Sequence, residues 1–220
     1  MARKHGSFVV IGLGNFGGTI ASELKRFDNY VIGIDSDSRR VSDFAEHLDQ
    51  ALILDARDVE ALRDAGVEEC STGLVSLGDD FESSVLATMN LKLVGIEMIW
   101  AKANSKAHHR ILSHLGVTRV VHPEREVGRQ MAQILHNPMI RDHVSLGNGY
   151  NVVNLRVPET LEGKPVEALP LERHHLRCVG VMRGSKFAGD HQGGGCTLRR
   201  DDLLLLLGKR DDLRDFTSNI

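Results

Sequence analysis

The chain has 220 residues, of which 41% are hydrophobic and 26% charged, and its formal net charge is −3. This composition is that of a globular protein large enough to bury a sizeable core, in one large domain or two smaller ones. The slightly acidic balance, with a sequence pI near 6.4, excludes a bulk electrostatic basis for binding nucleic acid.

The sequence predicts neither a membrane span nor a secretory leader, and we expect a cytosolic protein. Its longest aliphatic run, residues 203–207, is far below the roughly 20 residues that are needed to cross a bilayer. Residues 1–6 lead directly into the first apolar stretch and do not form a charged-then-apolar leader. Cys70, Cys178 and Cys196 are widely spaced and form no CxxC pair, which predicts reduced thiols.

The first predicted element is a buried parallel strand that turns tightly into a helix. A continuous apolar run begins at Phe8, glycines follow at Gly12, Gly14 and Gly17, and a helix is predicted over residues 15–27. Missing side chains permit the tight turn, the approach of a pyrophosphate and close helix packing. Free N–H groups at the helix start favour an anion.

An acidic residue at the end of the second predicted strand strengthens the glycine pattern. This strand, residues 31–34, ends in Asp35, roughly 20 residues beyond the glycines, where the fold places an acid that accepts from ribose hydroxyls. The alternative interpretation is that the glycines serve packing alone and that Asp35 caps the next helix.

Four further strands and the helices between them continue the alternation. Strands are predicted at 51–54, 73–77, 98–101 and 119–121, and helices at 38–48, 59–65, 81–94 and 107–115. Short right-handed crossovers then give an α/β fold with a doubly wound parallel sheet. Ligands of such sheets bind at the carboxyl ends of the strands. The residues at those ends are Gly12, Asp35, Asp55, Leu77, Gly78, Lys102 and His122.

A composition change near Ile140 predicts a second domain. The helix that begins at Pro123 carries an apolar stripe, which fits either packing on its own sheet or an interface. We expect domains at 1–139 and 140–220, the second a small α+β module. Its predicted elements are strands at 150–157 and 203–207, a hairpin of 178–182 with 186–187, a helical turn at 166–169 and a helix at 211–216.

With these elements placed, the chain resembles the RCK (KTN) family, the cytosolic regulatory subunits of Ktr/Trk-type potassium uptake systems. The similarity spans the predicted first domain and extends more loosely from about residue 151. It is carried by GLGNFGG (12–18), GID (33–35), IWAKA (99–103), AHHRILSHLG (107–116) and VVHPEREVG (120–128).

The resemblance implies a non-enzymatic subunit that binds ATP, ADP or NAD(H) and assembles as an octameric ring. The ring would dock on the inner face of the cell membrane, against a potassium-translocating subunit whose flux the nucleotide controls. A ligand can shift such a ring only by its difference in affinity between two ring shapes.

The resemblance also implies roles for particular residues. Glu124 would share Mg²⁺ or Ca²⁺ with ATP, because hard cations suit carboxylate and phosphate oxygens. The nucleotide-binding residues would be Gly12, Gly14, Asn15, Phe16 and Gly17 at the phosphates, Asp35 and Ser36 at the ribose, Asp55, Ala56 and Arg57 on the adenine side, and Leu77, Gly78 and Lys102 along the pocket wall.

One departure from the family concerns the phosphates. Relatives place an arginine inside the glycine loop, whereas this chain has the short, uncharged Asn15, which leaves the preference for ATP over ADP or NAD(H) open. Cyclic di-AMP is a further candidate ligand at residues 170–177, although the polar residues of relatives are not repeated there.

The sequence also permits four other interpretations. A zinc site of His174, His175, His191 and Cys196 is disfavoured because the spacing matches no ligand pattern. Acid–base chemistry by Asp79 and Asp80 is disfavoured, because helix capping and the helix dipole explain two acids at the start of a helix. An NAD(P)-dependent oxidoreductase is the alternative function, but the Tyr-x-x-x-Lys pair of short-chain dehydrogenases is absent, since neither tyrosine has a lysine four residues later. A cytosolic redox sensor fits the first domain equally well.

Overall fold

The computed structural model describes residues 6–137, 139–189 and 195–220. The chain divides into two compact units, Met1–Pro123 and Glu124–Ile220, here called the N-terminal unit and the C-terminal unit. The sequence predicts a later boundary, at 139/140; the helix that follows Pro123 groups with the C-terminal unit because its Ile134 packs against that unit's core. Within the described ranges, no helix is long and apolar enough to cross a membrane.

The N-terminal unit alternates strands and helices, and the predicted α/β class is confirmed. Its strands are β1 (Ser7–Ile11), β2 (Tyr30–Asp35), β3 (Gln50–Ile53), β4 (Thr72–Val75), β5 (Met98–Lys102) and β6 (Arg119–Val121). Its helices are α1 (Asn15–Arg26), α2 (Ser38–Phe44), α3 (Val59–Asp64), α4 (Phe81–Leu93) and α5 (Lys106–His114).

All six strands form one parallel sheet in the order β3-β2-β1-β4-β5-β6. The order reverses between β1 and β4, and a crevice opens beside such a switch point at the carboxyl ends of the strands. Alternate residues of β1 enter two different cores, since Val9 and Ile11 pack in one and Val10 packs in the other. Burial on both faces explains why this strand has a continuous apolar sequence.

The starts of the five helices fall into two groups. Four helices are capped by a side-chain oxygen that accepts from a backbone N–H of the first turn, while α1 begins after Gly14, which has no side chain that could cap it. The capping expectation for Asp80 is therefore confirmed. The capping residues are Asp37 for α2, Asp58 for α3, Asp80 for α4 and Ser105 for α5.

Two glycines bring α1 close to the end of β1. A Cβ on Gly17 would stand 1.9 Å from the carbonyl oxygen of Gly12, which is too close for any side chain to be accommodated there. Gly12 itself has φ +91°, a conformation that favours glycine, and its N–H donates to the Ile34 carbonyl at 2.7 Å. Both positions therefore require glycine for the turn and the helix packing.

The C-terminal unit is an α+β module, as predicted. It contains α6 (Pro123–His136), β7 (Ile140–Gly147), β8 (Tyr150–Arg156), β9 (Arg177–Arg183), β10 (Lys186–Ala188), β11 (Leu203–Lys209) and α7 (Arg210–Ser218). The strands form an antiparallel sheet in the order β10-β9-β11-β8-β7. Sequence analysis missed β7, because this edge strand is mostly exposed and lacks the alternation of a half-buried strand. His191, a member of the disfavoured zinc site, lies outside the described residues.

An ion pair with a buried carboxylate links Arg183 of β9 to Asp202, the residue before β11. The Asp202 carboxylate, whose side chain is 2% exposed, accepts from Arg183 Nε at 2.9 Å and Nη2 at 2.7 Å, and from the Arg199 N–H at 2.9 Å. Burial acts to raise the pKa of Asp202, but these hydrogen bonds outweigh it and hold the pKa below its usual range.

We predict that Gly17→Ala destabilises the N-terminal unit by about 2 kcal/mol or more, because the new methyl group collides with a backbone oxygen that cannot move away. Urea unfolding followed by the fluorescence of Trp100, the only tryptophan, measures the effect in this unit. Gly14→Ala is the matched control, since its Cβ would approach no atom closer than 3.9 Å. Equal unfolding midpoints for the two variants would contradict the packing role of Gly17.

We predict that acid removes the contribution of Asp202 to stability. Since the pKa of Asp202 is lowered in the folded state, its contribution is present above the unfolded-state pKa and is lost as the pH falls through the folded-state pKa. In calorimetric melting between pH 3 and 7, the difference in Tm between wild type and Asp202→Asn should therefore shrink toward low pH. The neighbouring, exposed Asp201→Asn serves as control, and a difference for Asp202→Asn that does not change with pH would disprove the assignment.

Candidate functional site

The predicted site residues of the N-terminal unit lie along the carboxyl-terminal edge of its sheet, on both sides of the switch point. Gly12 follows β1, and Leu77 follows β4 with its Cδ2 atom 3.0 Å from the place of a Gly12 Cβ. Gly14 faces open space, with only Arg40 Nη1 within 4 Å of its Cβ position. Asn15 is exposed at the first turn of α1. The turn thus presents bare backbone and uncapped helix N–H groups, which suits a phosphate.

Asp35 fixes the loop that carries the glycines. Its carboxylate lies at the end of β2, is 3% exposed, and accepts from the Leu13 N–H at 2.8 Å and from the Asp37 N–H at 2.9 Å. A carboxylate has about four acceptor positions, so these two hydrogen bonds leave capacity for a ligand hydroxyl. Ser36, which follows directly, is exposed. Asp35 therefore serves the fold as well as any ligand.

Arg40 is a residue that sequence analysis missed. Its Nη1 atom lies 3.4 Å from Asp35 Oδ2 and 3.9 Å from the place of a Gly14 Cβ. The guanidinium is half exposed, so it can reach a ligand above the glycine turn. The available signal is weak, since an arginine five residues beyond a strand-end acid follows no recognised motif.

Asp55 and Arg57 pair with each other at the end of β3. The Arg57 guanidinium donates through Nε and Nη2 to the Asp55 carboxylate at 2.7–3.0 Å, and the Arg57 N–H donates to Oδ1 at 2.9 Å. These contacts hold the pKa of the Asp55 carboxyl below its usual range. Ala56 between them is buried, and its carbonyl accepts from Asn90 Nδ2 at 3.0 Å. Arg57 is therefore held in place by its partner.

On the other side of the switch point, Lys102 lies close to two other predicted residues, Gly78 and Phe16. The side chain of Lys102 lies over Gly78, whose Cβ would stand 3.0 Å from Lys102 Cε. The ammonium group is 6.0 Å from the centre of the Phe16 ring, at the outer limit of a cation–π contact. This arrangement brings a positive charge near the start of α1.

Sequence analysis also missed a hydrogen-bond chain that runs from the exposed Asn104 to the buried His108 and Ser84. Asn104 Nδ2 donates to the Gly78 carbonyl, and its Oδ1 lies 3.2 Å from His108 Nδ1, whose Nε2 lies 3.1 Å from Ser84 Oγ. Burial, followed by the nearby His122, lowers the pKa of His108, so a neutral ring donates to Asn104 and accepts from Ser84. The i,i+4 spacing of Asn104 and His108 is the only local signal; Ser84 comes from another helix.

Two predictions concern metal ligands. Glu124 lies in the first turn of α6, in the C-terminal unit, and its role toward a nucleotide-bound cation stays a prediction. Within the described residues, no group of three or more histidine, cysteine, aspartate or glutamate side chains could hold a metal ion. His174 bonds Asp215 at 2.9 Å instead.

Comparison with known proteins identifies the N-terminal unit. The TrkA-N domain family matches residues 8–123. Ktr system potassium uptake protein A of Bacillus subtilis (strain 168) is 29% identical over 220 residues, which cover 97% of this chain and 96% of the relative. The protein of the same name from Vibrio alginolyticus is 28% identical over 209 residues, covering 94% of each.

The fold also matches solved structures. The structure described as "GsuK channel bound to NAD" superposes with a TM-score of 0.64 at 16% identity, over 97% of this chain and 39% of that one. The chain therefore spans less than half the length of this channel protein. The family match covers more than half of the sequence, so the resemblance to the RCK family is confirmed and the chain belongs to the TrkA-N domain family.

Proposed function

We propose that the chain is a nucleotide-binding regulatory subunit of a membrane potassium transporter. The observation that carries this proposal is the start of α1, where uncapped N–H groups and the open face of Gly14 lie beside the Asp35 carboxylate at the switch point of the sheet. Such a helix start favours an anion, and the neighbouring acid suits a ribose.

In this proposal, the phosphates of the nucleotide lie over the glycine turn. A Cβ at Gly12 or Gly17 would fill space that backbone occupies, whereas Gly14 leaves room for a ligand to approach. Arg40 and Lys102 supply positive charge from the two sides of the turn. Asn15 adds no charge, so we expect less discrimination of ATP from ADP than an arginine there would give.

The remaining predicted residues would orient the nucleoside. Asp35 and Ser36 would bind ribose hydroxyls, and Asp55, Ala56 and Arg57 would line the adenine side. The fixed Asp55–Arg57 pair supports this assignment, since a guanidinium whose edge is already bonded can present its flat face to a base. Leu77, Gly78 and Lys102 would complete the wall. These residues would serve ATP, ADP and NAD(H) alike, because all three contain an adenosine and at least two phosphates.

The regulatory role is supported by the relatives. Two potassium uptake proteins match almost the whole chain, and the GsuK channel bound to NAD shares its fold. We propose a cytoplasmic, non-enzymatic subunit that forms an octameric ring against a potassium-translocating membrane protein. Nucleotide exchange would shift the ring between two shapes in proportion to the difference in affinity. Cyclic di-AMP at residues 170–177 is a further ligand to test.

The second candidate is an NAD(H)-binding redox sensor or oxidoreductase. It is favoured by Asp35, which suits the unmodified ribose of NAD, and by the NAD-bound GsuK structure of similar fold. Turnover of NADH by the purified chain would support this candidate against the regulatory one. Capture of a potassium-translocating membrane subunit by the chain would support the regulatory role.

We predict that Gly14→Ala weakens nucleotide binding by about tenfold or more, because the methyl group separates the phosphates from the helix N–H groups and costs charge-assisted hydrogen bonds. Calorimetric titration with ATP, ADP, NAD⁺ and NADH measures the affinities. Gly128→Ala, a helical glycine with nothing within 4 Å of its Cβ position, is the matched control. Unchanged affinity in a folded Gly14→Ala protein would remove the glycine turn from the site.

We predict that Glu124→Gln reduces the effect of Mg²⁺ or Ca²⁺ on ATP affinity, because the amide loses the charge that a hard cation prefers. The measurement is ATP titration with and without the cation. Glu126→Gln, which removes an equal charge from the same helix turn, is the control. The cation role is refuted if both variants keep the wild-type metal response.

A further inference from the structure

A cleft in the C-terminal unit has no part in the nucleotide site. Helices α6 and α7 and strands β7 and β8 enclose a volume of about 560 Å³. This volume falls within the range of roughly 300–1,000 Å³ that small-molecule sites occupy. None of the nucleotide-binding residues predicted above lines it.

Helix α7 sorts its charges between this cleft and the rest of its surface. Its two arginines, Arg210 and Arg214, line the cleft together with Leu213. They lie four residues apart, on one face of the helix. The three aspartates of the same helix are absent from the lining, and one of them, Asp215, accepts a hydrogen bond from His174 Nδ1 at 2.9 Å. Although this helix has more acidic than basic residues, its charged residues that line the cleft are both basic.

The other walls add basic and apolar groups. His136 of α6 and His143 of β7 line the cleft, and no aspartate or glutamate is found among the described residues that do so. Its floor is formed by Met139, Ile140 and Val153, of which the last two are buried. The cleft therefore combines a cationic side with an apolar one.

Arg210 is oriented without being neutralised. The side-chain oxygen of Gln133, in the amide orientation that satisfies both groups, accepts from Arg210 Nε at 2.9 Å and Nη2 at 3.0 Å. Among the described residues, no carboxylate forms an ion pair with Arg210, and the Arg214–Asp211 pair is long, at 3.7 Å, and exposed. A neutral partner fixes the guanidinium while its charge remains available for a ligand.

We propose that this cleft binds a small amphiphilic anion, with a phosphate or carboxylate head against Arg210 and Arg214 and an apolar body over the floor. Guanidinium groups recognise such heads through paired N–H donors. The apolar lining then gains from covering a hydrocarbon body. The proposal does not rest on the nucleotide function, since no residue predicted to bind the nucleotide or its cation lines the cleft.

The test is a ligand-observed NMR titration of the full chain with octyl phosphate, kept below its micelle concentration. Inorganic phosphate and octanol are titrated in parallel, because each carries only one half of the recognised chemistry. We expect saturable binding of octyl phosphate that is at least tenfold tighter than that of either half. Vesicles of anionic phospholipid form a further arm, and binding to vesicles without binding to monomeric octyl phosphate would overturn a site for one enclosed molecule.

Matched variants connect the binding to the cleft. Arg214→Gln should weaken octyl phosphate binding by about tenfold, the size of effect that a charge-assisted hydrogen bond gives. Arg200→Gln is the control, since Arg200 is equally exposed and has a similarly long ion pair with Glu159 at 3.8 Å. Ala132 lines the cleft but is exposed, so the larger side chain of Ala132→Phe should occupy the cleft and abolish binding.

Three outcomes would overturn the proposal. The first is absence of saturable binding by the folded wild-type chain, and the second is equal loss of affinity in Arg200→Gln and Arg214→Gln. The third is a change of oligomeric state in Ala132→Phe, measured by light scattering, together with absence of octyl phosphate binding to the wild-type chain. That result would mean that a second copy of the chain covers the cleft.

Discussion

The contact between α1 and the end of β1 is the constraint on which the N-terminal unit depends. Gly17 approaches the carbonyl of Gly12 so closely that a single carbon atom would separate helix from strand. This approach places the first turn of α1 at the switch point of the sheet. It also leaves that helix start without a capping side chain, while its four neighbours are capped by aspartate or serine. The packing that closes the fold thus creates the helix start at which we propose that the nucleotide phosphates bind.

Asp35 connects the fold to the proposed nucleotide site. The carboxylate bonds the Leu13 N–H, which fixes the glycine turn, and the Asp37 N–H, which fixes the start of α2. A group held in this way is preorganised and loses little freedom when a ribose binds. It also means that removing the carboxylate would disturb the turn itself, because a buried N–H would lose its partner. We therefore expect binding and stability to be coupled at this position, whereas a substitution of Gly14 should affect binding alone.

The C-terminal unit is organised by charge as well as by its apolar core. The Asp202 carboxylate is buried because Arg183 and the Arg199 amide replace its hydration, and a buried charge without such partners would be costly. On α7 the opposite arrangement occurs, since two arginines line a cleft whose described residues include no acid. In the first case charge is compensated within the chain, and in the second it is available to a ligand.

The sequence by itself determined the class of both units, the glycine turn, Asp35 and the positions of nearly all strands, because local patterns of apolar residues and glycines suffice for these features. It did not reveal β7, whose exposed edge gives no alternating pattern, or the grouping of α6 with the C-terminal unit. Only the tertiary structure brought Arg40 to the glycine turn, joined Gly78 to Ser84 through Asn104 and His108, and placed Arg210 beside Gln133. These contacts join residues from different elements, and side-chain geometry across elements is decided by packing, which no local pattern of residues encodes.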